Sequence, residues 1–240
     1  MNHDGMKLHV HVCTHNEELM LPHFLKFYKK YTDYIFVHDQ HSTDRTLEIA
    51  HSFDCIVDTF GNDFFDTAVK QNTLMEGYKK SIDCDYVIIV DCDEFMVHDN
   101  LIEKLKWCKQ QKILVPKCIG YEMYHDNFDF VNGNIDSITH GVLGSREFGQ
   151  KQCIVKSNET INYSIGCHHI YSPTQRPYPD QTPIKYCHMK YINTEYIKER
   201  HAYFHNRRSD ENKKKGYGVH YSKQIQPVID RLKTQSTKIR

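Results

Sequence analysis

The chain has 240 residues, of which 39% are hydrophobic and 26% charged, and its formal net charge is zero. Such a composition can bury a sizeable core, excludes wholesale disorder, and suits one large domain, with or without a tail, better than two. The neutral total hides an asymmetry: residues 198–240 hold 12 Lys and Arg against 4 Asp and Glu, which suggests either an anionic partner for the tail or a solvated terminal helix.

Residues 7–15, KLHVHVCTH, alternate and are rich in Val, so a strand is expected to end near Thr14. A helix is expected over 16–31, with Asn16 as its cap and Leu21, Phe24, Leu25 and Tyr28 on its apolar face. A strand over 33–39, a helix over 42–53 and a strand over 55–60 follow, then a helix over 66–82 and a strand over 85–91. Residues 96–111 read as a further helix and 112–116 as a strand. Beyond 117 the pattern breaks into shorter pieces: strands near 153–157 and 164–171, a proline-rich loop over 172–183, a helix over 193–204, and a last helix interrupted by Pro227.

Alternating strands and helices over the first hundred residues imply an α/β fold with a mostly parallel sheet flanked by helices, followed by a mixed extension and a basic helical tail. The expected division is a catalytic domain over 1–197, split at 116/117 into two halves, and a tail over 198–240. Ligands on parallel sheets bind outside the carboxyl ends of the strands. Here those ends are THNEE (14–18), DQHSTD (39–44) and DCDEF (91–95), all polar.

Asp91 and Asp93 follow a buried apolar run. Two carboxylates spaced this way in a chain leaving β geometry can converge on one hard divalent cation, with phosphate oxygens and water filling the other positions. Asp39 ends a strand, and Ser42, Thr43 and Asp44 can cap the next helix, whose N-terminus attracts anions. Asn16 and Glu17 can accept or donate toward a base or ribose.

In order, spacing and placement, the segments CTHNEELMLPHFLKFY, IFVHDQHSTDRTLEIA and DYVIIVDCDEF resemble the family-2 glycosyltransferases of the GT-A, Rossmann-like fold. The likeness covers about the first hundred residues well and the rest loosely. It implies an inverting transfer of a sugar from a nucleoside-diphosphate donor, a UDP-sugar favoured, with Mn²⁺ or Mg²⁺ as cofactor. By position, Thr14, Asn16, Glu17 and Asp39 would hold the nucleoside, Lys70 would lie near the diphosphate, Asp91 near the ribose or the metal, and Asp93 on the metal. Phe95 would be packing. KQCIVKSNETINYSIGCHHIYSP and YCHMKYINTEYIKER resemble later segments of the same branch, and nominate His188 as a further metal or phosphate ligand, with His168 or His169 next.

An inverting transfer needs a carboxylate on the acceptor side to take the hydroxyl proton. Glu122, Asp126, Asp129 and Glu147 are candidates; Glu147 is preferred for its position after a Gly-Ser turn, and Asp126 is second. The acceptor is expected to be a glycan, a lipid-linked glycan or another hydroxyl compound, itself anionic if the basic tail meets it, and the tail can also rest on an anionic membrane. A sugar-phosphate nucleotidyltransferase is the rival enzyme, but CTHNEE lacks the glycines of a phosphate loop. A nucleic-acid-binding protein using the tail is the non-enzymatic rival. Nine scattered cysteines without a C-x-x-C pair, no apolar run near ~18 residues and no secretion signal lead us to expect a reduced, cytoplasmic protein, soluble or peripheral to a membrane.

Overall fold

The computed structural model describes residues 5–145, 151–174, 182–222 and 224–240. The chain opens with β1 (Leu8–Thr14), α1 (Leu21–Tyr28), β2 (Ile35–Asp39), α2 (Thr46–Ser52), β3 (Ile56–Thr59), α3 (Thr67–Lys80) and β4 (Tyr86–Asp91). Short strand β5 (Glu94–Val97) and α4 (Leu101–Gln110) follow, then β6 (Cys118–Tyr124), β7 (His140–Leu143), β8 (Ile154–Lys156), β9 (Asn162–Tyr163), β10 (Ile170–Tyr171) and β11 (Ile184–Tyr191). The chain finishes with α5 (Thr194–Arg207), α6 (Asp210–Lys215), α7 (Gln226–Gln235) and β12 (Thr237–Lys238).

The first sheet runs β3-β2-β1-β4-β8, parallel except for β8, which pairs antiparallel with β4. Strand side chains alternate between faces. Leu8, Val10 and Val12 of β1 join Phe24, Leu25 and Tyr28 of α1 in one core, and each fully buried side chain of this kind contributes about 1.5–3 kcal/mol. Leu74 and Tyr78 of α3 cover the opposite face with Val87, Ile89 and Val155. That face of β1 also carries His9 and His11, which share the Ser81 hydroxyl at 3.0 and 2.8 Å. Gly77 permits this approach, because a Cβ there would fall 2.6 Å from His11 Nδ1.

The second sheet runs β12-β7-β6-β11-β5, with β11 parallel to β6 and antiparallel to β5. The two sheets meet where β4 turns into β5, so the acids of 91–94 sit at their junction.

Several expectations are corrected. Asn16 has φ +52° and caps nothing; α1 starts at Leu21. The segment after Phe95 is strand before it is helix, and α4 begins at Leu101 behind the Asn100 cap. Residues 112–116 are not a strand, although Ile113, Leu114 and Val115 are buried. Strand β8 belongs to the main sheet rather than to an extension. Pro227 does not interrupt the last helix but sits in its first turn, where a missing N–H costs nothing. The boundary expected at 197/198 falls inside α5, and β12 returns to pair with β7, so the basic C-terminal segment is woven into the fold. No helix among the described residues is long and apolar enough to cross a membrane.

Candidate active site

Parallel register brings Thr14 beside Asp39 and Cys13 beside Asp91, so the ends of β1, β2 and β4 form one edge. A cleft of about 470 Å³ opens beyond it. Thr14, Glu17, Gln40 and Asp91 form its floor, and Lys70 reaches in from α3. Tyr186, His188 and Lys190 of β11 line one wall, and Arg200, His201 and Phe204 of α5 another; the turn Tyr217–Tyr221 closes the rim. Strand β11 pairs regularly with β6 as far as His188 and then slips register before Tyr191, an irregularity that re-aims side chains beside a site.

Asp91 and Asp93, expected to share one ion, take different partners here, and among the described residues no group of three or more His, Cys, Asp or Glu is arranged to hold a metal ion. Asp91 faces lysines instead. Its Oδ1 accepts from Lys70, and its Oδ2 lies 3.4 Å from Lys151 Nζ. Lys151 is 3% exposed and donates to both Glu94 oxygens at 2.6 Å, while Glu94 Oε2 accepts from the Asp91 backbone N–H at 2.8 Å. Burial pushes the Asp91 carboxyl up, but Lys151 and Lys70 outweigh it and hold it well below the usual carboxylate range.

Asp93 has a different partner. Its Oδ2 lies 3.3 Å from His188 Nε2, and His188 Nδ1 lies 3.0 Å from Glu122 Oε2. Burial disfavours a charged imidazole here, yet Glu122 and Asp93 together raise its pKa well above 6.5. Asp93 and His188 fit a divalent ion. Mg²⁺ and Mn²⁺ take few protein ligands, and adjacent ligand atoms at bonds of about 2.1 Å stand roughly 3 Å apart. Glu122 stands behind the ring as an ion-pair neighbour at 3.0 Å and would be the outer partner of a His188 bound to metal through Nε2.

Glu17 pairs with the Arg200 guanidinium, which also donates to the His15 and Asn16 carbonyls at 3.2 and 2.9 Å. Burial pushes Glu17 up to about 7 against the pull of Arg200. Asp39 is fully buried: it accepts from Thr14 Oγ1 at 3.0 Å, from the Ser42 N–H at 2.8 Å and from Ser42 Oγ at 2.5 Å. Asn16 Oδ1 accepts from the Thr43 N–H at 2.8 Å. Neither Asp39 nor Asn16 lines the cleft; both clamp the loops that do.

Of the base candidates, Asp126 is exposed, accepts from the Tyr124 hydroxyl and lies 3.5 Å from Lys233, away from the cleft. Asp129 is engaged by the local turn through Val131, and Glu122 by His188. Glu147 lies outside the described residues. His168 lines the cleft, with burial pushing its pKa down to about 4. Lys151, Lys190, Arg200 and His201 were not expected in the site. Lys151 heads the Lys-Gln-Cys-Ile-Val segment, and Lys190 follows His188 by two residues in a period-2 stretch, so both had a local signal; the place of α5 against the cleft had none.

All nine cysteines are free. Arg200 and Arg207 turn inward, the latter donating to the Asp63 carbonyl at 2.9 Å, and Arg240 donates to the Ile138 carbonyl at 2.7 Å, so part of the tail's charge is structural.

No protein-family profile and no curated protein matches the chain. Among solved structures, it is similar to glucosyl-3-phosphoglycerate synthase from Mycobacterium tuberculosis in complex with Mn²⁺, UDP and glucosyl-3-phosphoglycerate, at 18% identity and TM-score 0.36, covering 49% of this chain and 45% of that one. It is also similar to S. aureus TarS 1-349 in complex with UDP, at 19% identity and TM-score 0.39, covering 56% and 40% respectively. The chain thus spans less than half the length of either.

Proposed function

We propose that the cleft binds a nucleoside-diphosphate sugar, a UDP-sugar favoured, and transfers the sugar with inversion to a hydroxyl acceptor. One observation carries this reading: the Asp93–His188–Glu122 row stands in the same cleft as Lys70, Lys151, Lys190 and Arg200, beyond the carboxyl ends of parallel strands. The motif resemblance, not the distant structural likeness, supports the choice of substrate.

In this reading Asp93 and His188 hold Mn²⁺ or Mg²⁺, which supplies charge stabilisation to the departing diphosphate. The chain's own groups do the rest. Thr14 and Glu17 shape the nucleoside end, and the Glu17–Arg200 pair ties α5 to it. Asp91 holds Lys70, and with Glu94 it holds Lys151, so two ammonium groups are fixed before substrate arrives. Charges fixed in advance stabilise a transition state without reorganising. The acceptor oxygen forms a bond to the anomeric carbon as the bond to the diphosphate breaks; the diphosphate leaves with the electron pair, and the hydroxyl proton passes to a carboxylate, for which we keep Glu147.

A thermal-shift screen of UDP-, GDP-, CMP- and dTDP-sugars with and without Mn²⁺ tests this. A ligand at a hundredfold its Kd adds about 2.7 kcal/mol to the native state. One donor is expected to raise the melting temperature, and more with Mn²⁺. Flat melts across all donors with metal present would sink the reading.

A further inference from the structure

Among the described residues, three of the four Lys and Arg side chains that line the cleft are already paired: Lys70 with Asp91, Lys151 with Glu94, and Arg200 with Glu17. Lys190 is different. Among the described residues it has no carboxylate within ion-pair distance and no hydrogen-bond acceptor; its ammonium faces the rings of Tyr221 at 5.1 Å and Tyr191 at 5.7 Å. Of the carboxylates that act on it through space, Glu122 and Asp93 are engaged by His188 and Asp91 by Lys70.

His201 presents a second unmet demand on the other side chain wall. It is 7% exposed, it lines the cleft, and among the described residues neither ring nitrogen has a hydrogen-bond partner. Its ring packs 5.3 Å from that of Tyr221, the same ring that Lys190 faces. A native protein seldom leaves a buried polar ring unsatisfied, because the cost of desolvating it is not recovered. A free ammonium and an imidazole gathered about one tyrosine call for an anion with several acceptor oxygens.

We propose that Lys190 and His201 form a phosphoryl-binding subsite of the cleft, with Tyr221 as its rim. This rests on the reading of the cleft as a nucleotide-sugar site, since Lys190 is two residues from His188 and so beside the position assigned to the cation. The phosphoryl group has two chemical sources, the donor's diphosphate or a phosphorylated acceptor. Lys70, nominated from the sequence for the diphosphate, is held in place by Asp91, whereas Lys190 has no carboxylate partner among the described residues and is left to engage an added phosphoryl group.

Calorimetry on the full chain with Mn²⁺ tests it, comparing wild type with Lys190→Met, Lys190→Arg and His201→Phe, each first shown by melting to be folded. The probes are inorganic pyrophosphate, UDP, uridine, and inorganic phosphate added to UDP-saturated protein. Loss of a charged hydrogen bond is worth roughly tenfold or more in affinity. Weaker pyrophosphate and UDP binding in Lys190→Met and His201→Phe, with uridine unchanged and Lys190→Arg largely restored, supports the subsite and assigns the donor's diphosphate. Loss confined to phosphate on UDP-saturated protein supports it and assigns the acceptor. Unchanged anion affinities in folded Lys190→Met and His201→Phe overturn it, as does a wild type that binds no anion. If wild type binds pyrophosphate through Lys190 but gains nothing from a nucleoside, the subsite stands and the proposed transferase falls.

Discussion

Asp93, in the turn between β4 and β5, and His188, on β11, face each other across 3.3 Å, brought together from distant parts of the chain by the pairing of β5 with β11. With Glu122 behind the ring at 3.0 Å, the imidazole stands between two carboxylates, and a positive charge is needed on or beside it. A proton on Nε2 meets that need, and so does a divalent ion. Asp93→Ala is therefore expected to abolish transfer and Mn²⁺-dependent donor binding while the fold persists. Glu122→Gln, which removes only the outer partner, should weaken metal affinity by about 10–100-fold. Titration of Mn²⁺ followed by donor binding separates the two; an Asp93→Ala protein with normal turnover would remove the ion from this position.

Lys151 and Glu94 concern stability. Both are nearly excluded from solvent, and the ammonium meets both carboxylate oxygens at 2.6 Å. Breaking such a buried pair from one side costs about 3–5 kcal/mol, because the partner is left charged and unmatched. Lys151→Met should lower the urea midpoint accordingly, and the double variant Lys151→Met with Glu94→Gln should recover part of the loss. Equal midpoints for Lys151→Met and wild type would show that solvent reaches the pair.

Asp126 is predicted to be dispensable for the chemistry. Its carboxylate is exposed and engaged by Tyr124 and Lys233, and those hydrogen bonds hold its pKa below the ordinary value, the wrong direction for a proton acceptor. Asp126→Asn should keep kcat and kcat/KM within about threefold of wild type, a change under 1 kcal/mol. A hundredfold fall in kcat with KM unchanged would return it to the acceptor side.

Much of this was legible in the sequence where local pattern decides structure. The strands β1, β2, β3 and β4 are short apolar runs bounded by turn residues, and their polar ends sit on one edge as parallel pairing requires. The side chains at those ends were less legible. Asp39 and Asn16 carry motif positions and also clamp loops, Asp39 by accepting from Thr14 and Ser42 and Asn16 by accepting from the Thr43 N–H, contacts across the chain that the motif spacing does not specify. Asp91 and Asp93 part company because Lys70, Lys151 and His188 arrive from other elements, and no spacing rule specifies long-range partners. Strand β11 leaves little trace in the sequence, since Lys185, His188 and Lys190 dilute its apolar signal, although Cys187 and Met189 are fully buried.

The histidines behind the sheet predict how stability responds to acid. His9 and His11 share Ser81, and His11 Nδ1 meets His38 Nε2 at 2.9 Å, so a chain of buried rings runs through the layer between β1 and α3 and ends where His38 Nδ1 meets Asp58 at 2.6 Å. Burial, with Lys7 adding to it, pushes the His9 pKa down to about 4; burial and then His38 push His11 well below 6.5. Below pH 6.5 the unfolded chain takes up protons that these rings refuse, so stability falls as pH drops from 6.5 toward 4. His188 is silent in that window, being protonated in both states, while Glu17, raised to about 7, acts in the opposite sense between 7 and 4.5. The histidine contribution is therefore isolated by difference. Urea midpoints for wild type and His11→Asn, measured at pH 7.5, 6.0 and 5.0, should converge as the pH falls, because the variant lacks one of the rings that acid penalises. Parallel midpoint curves for the two proteins would mean that His11 accepts its proton without opening the layer.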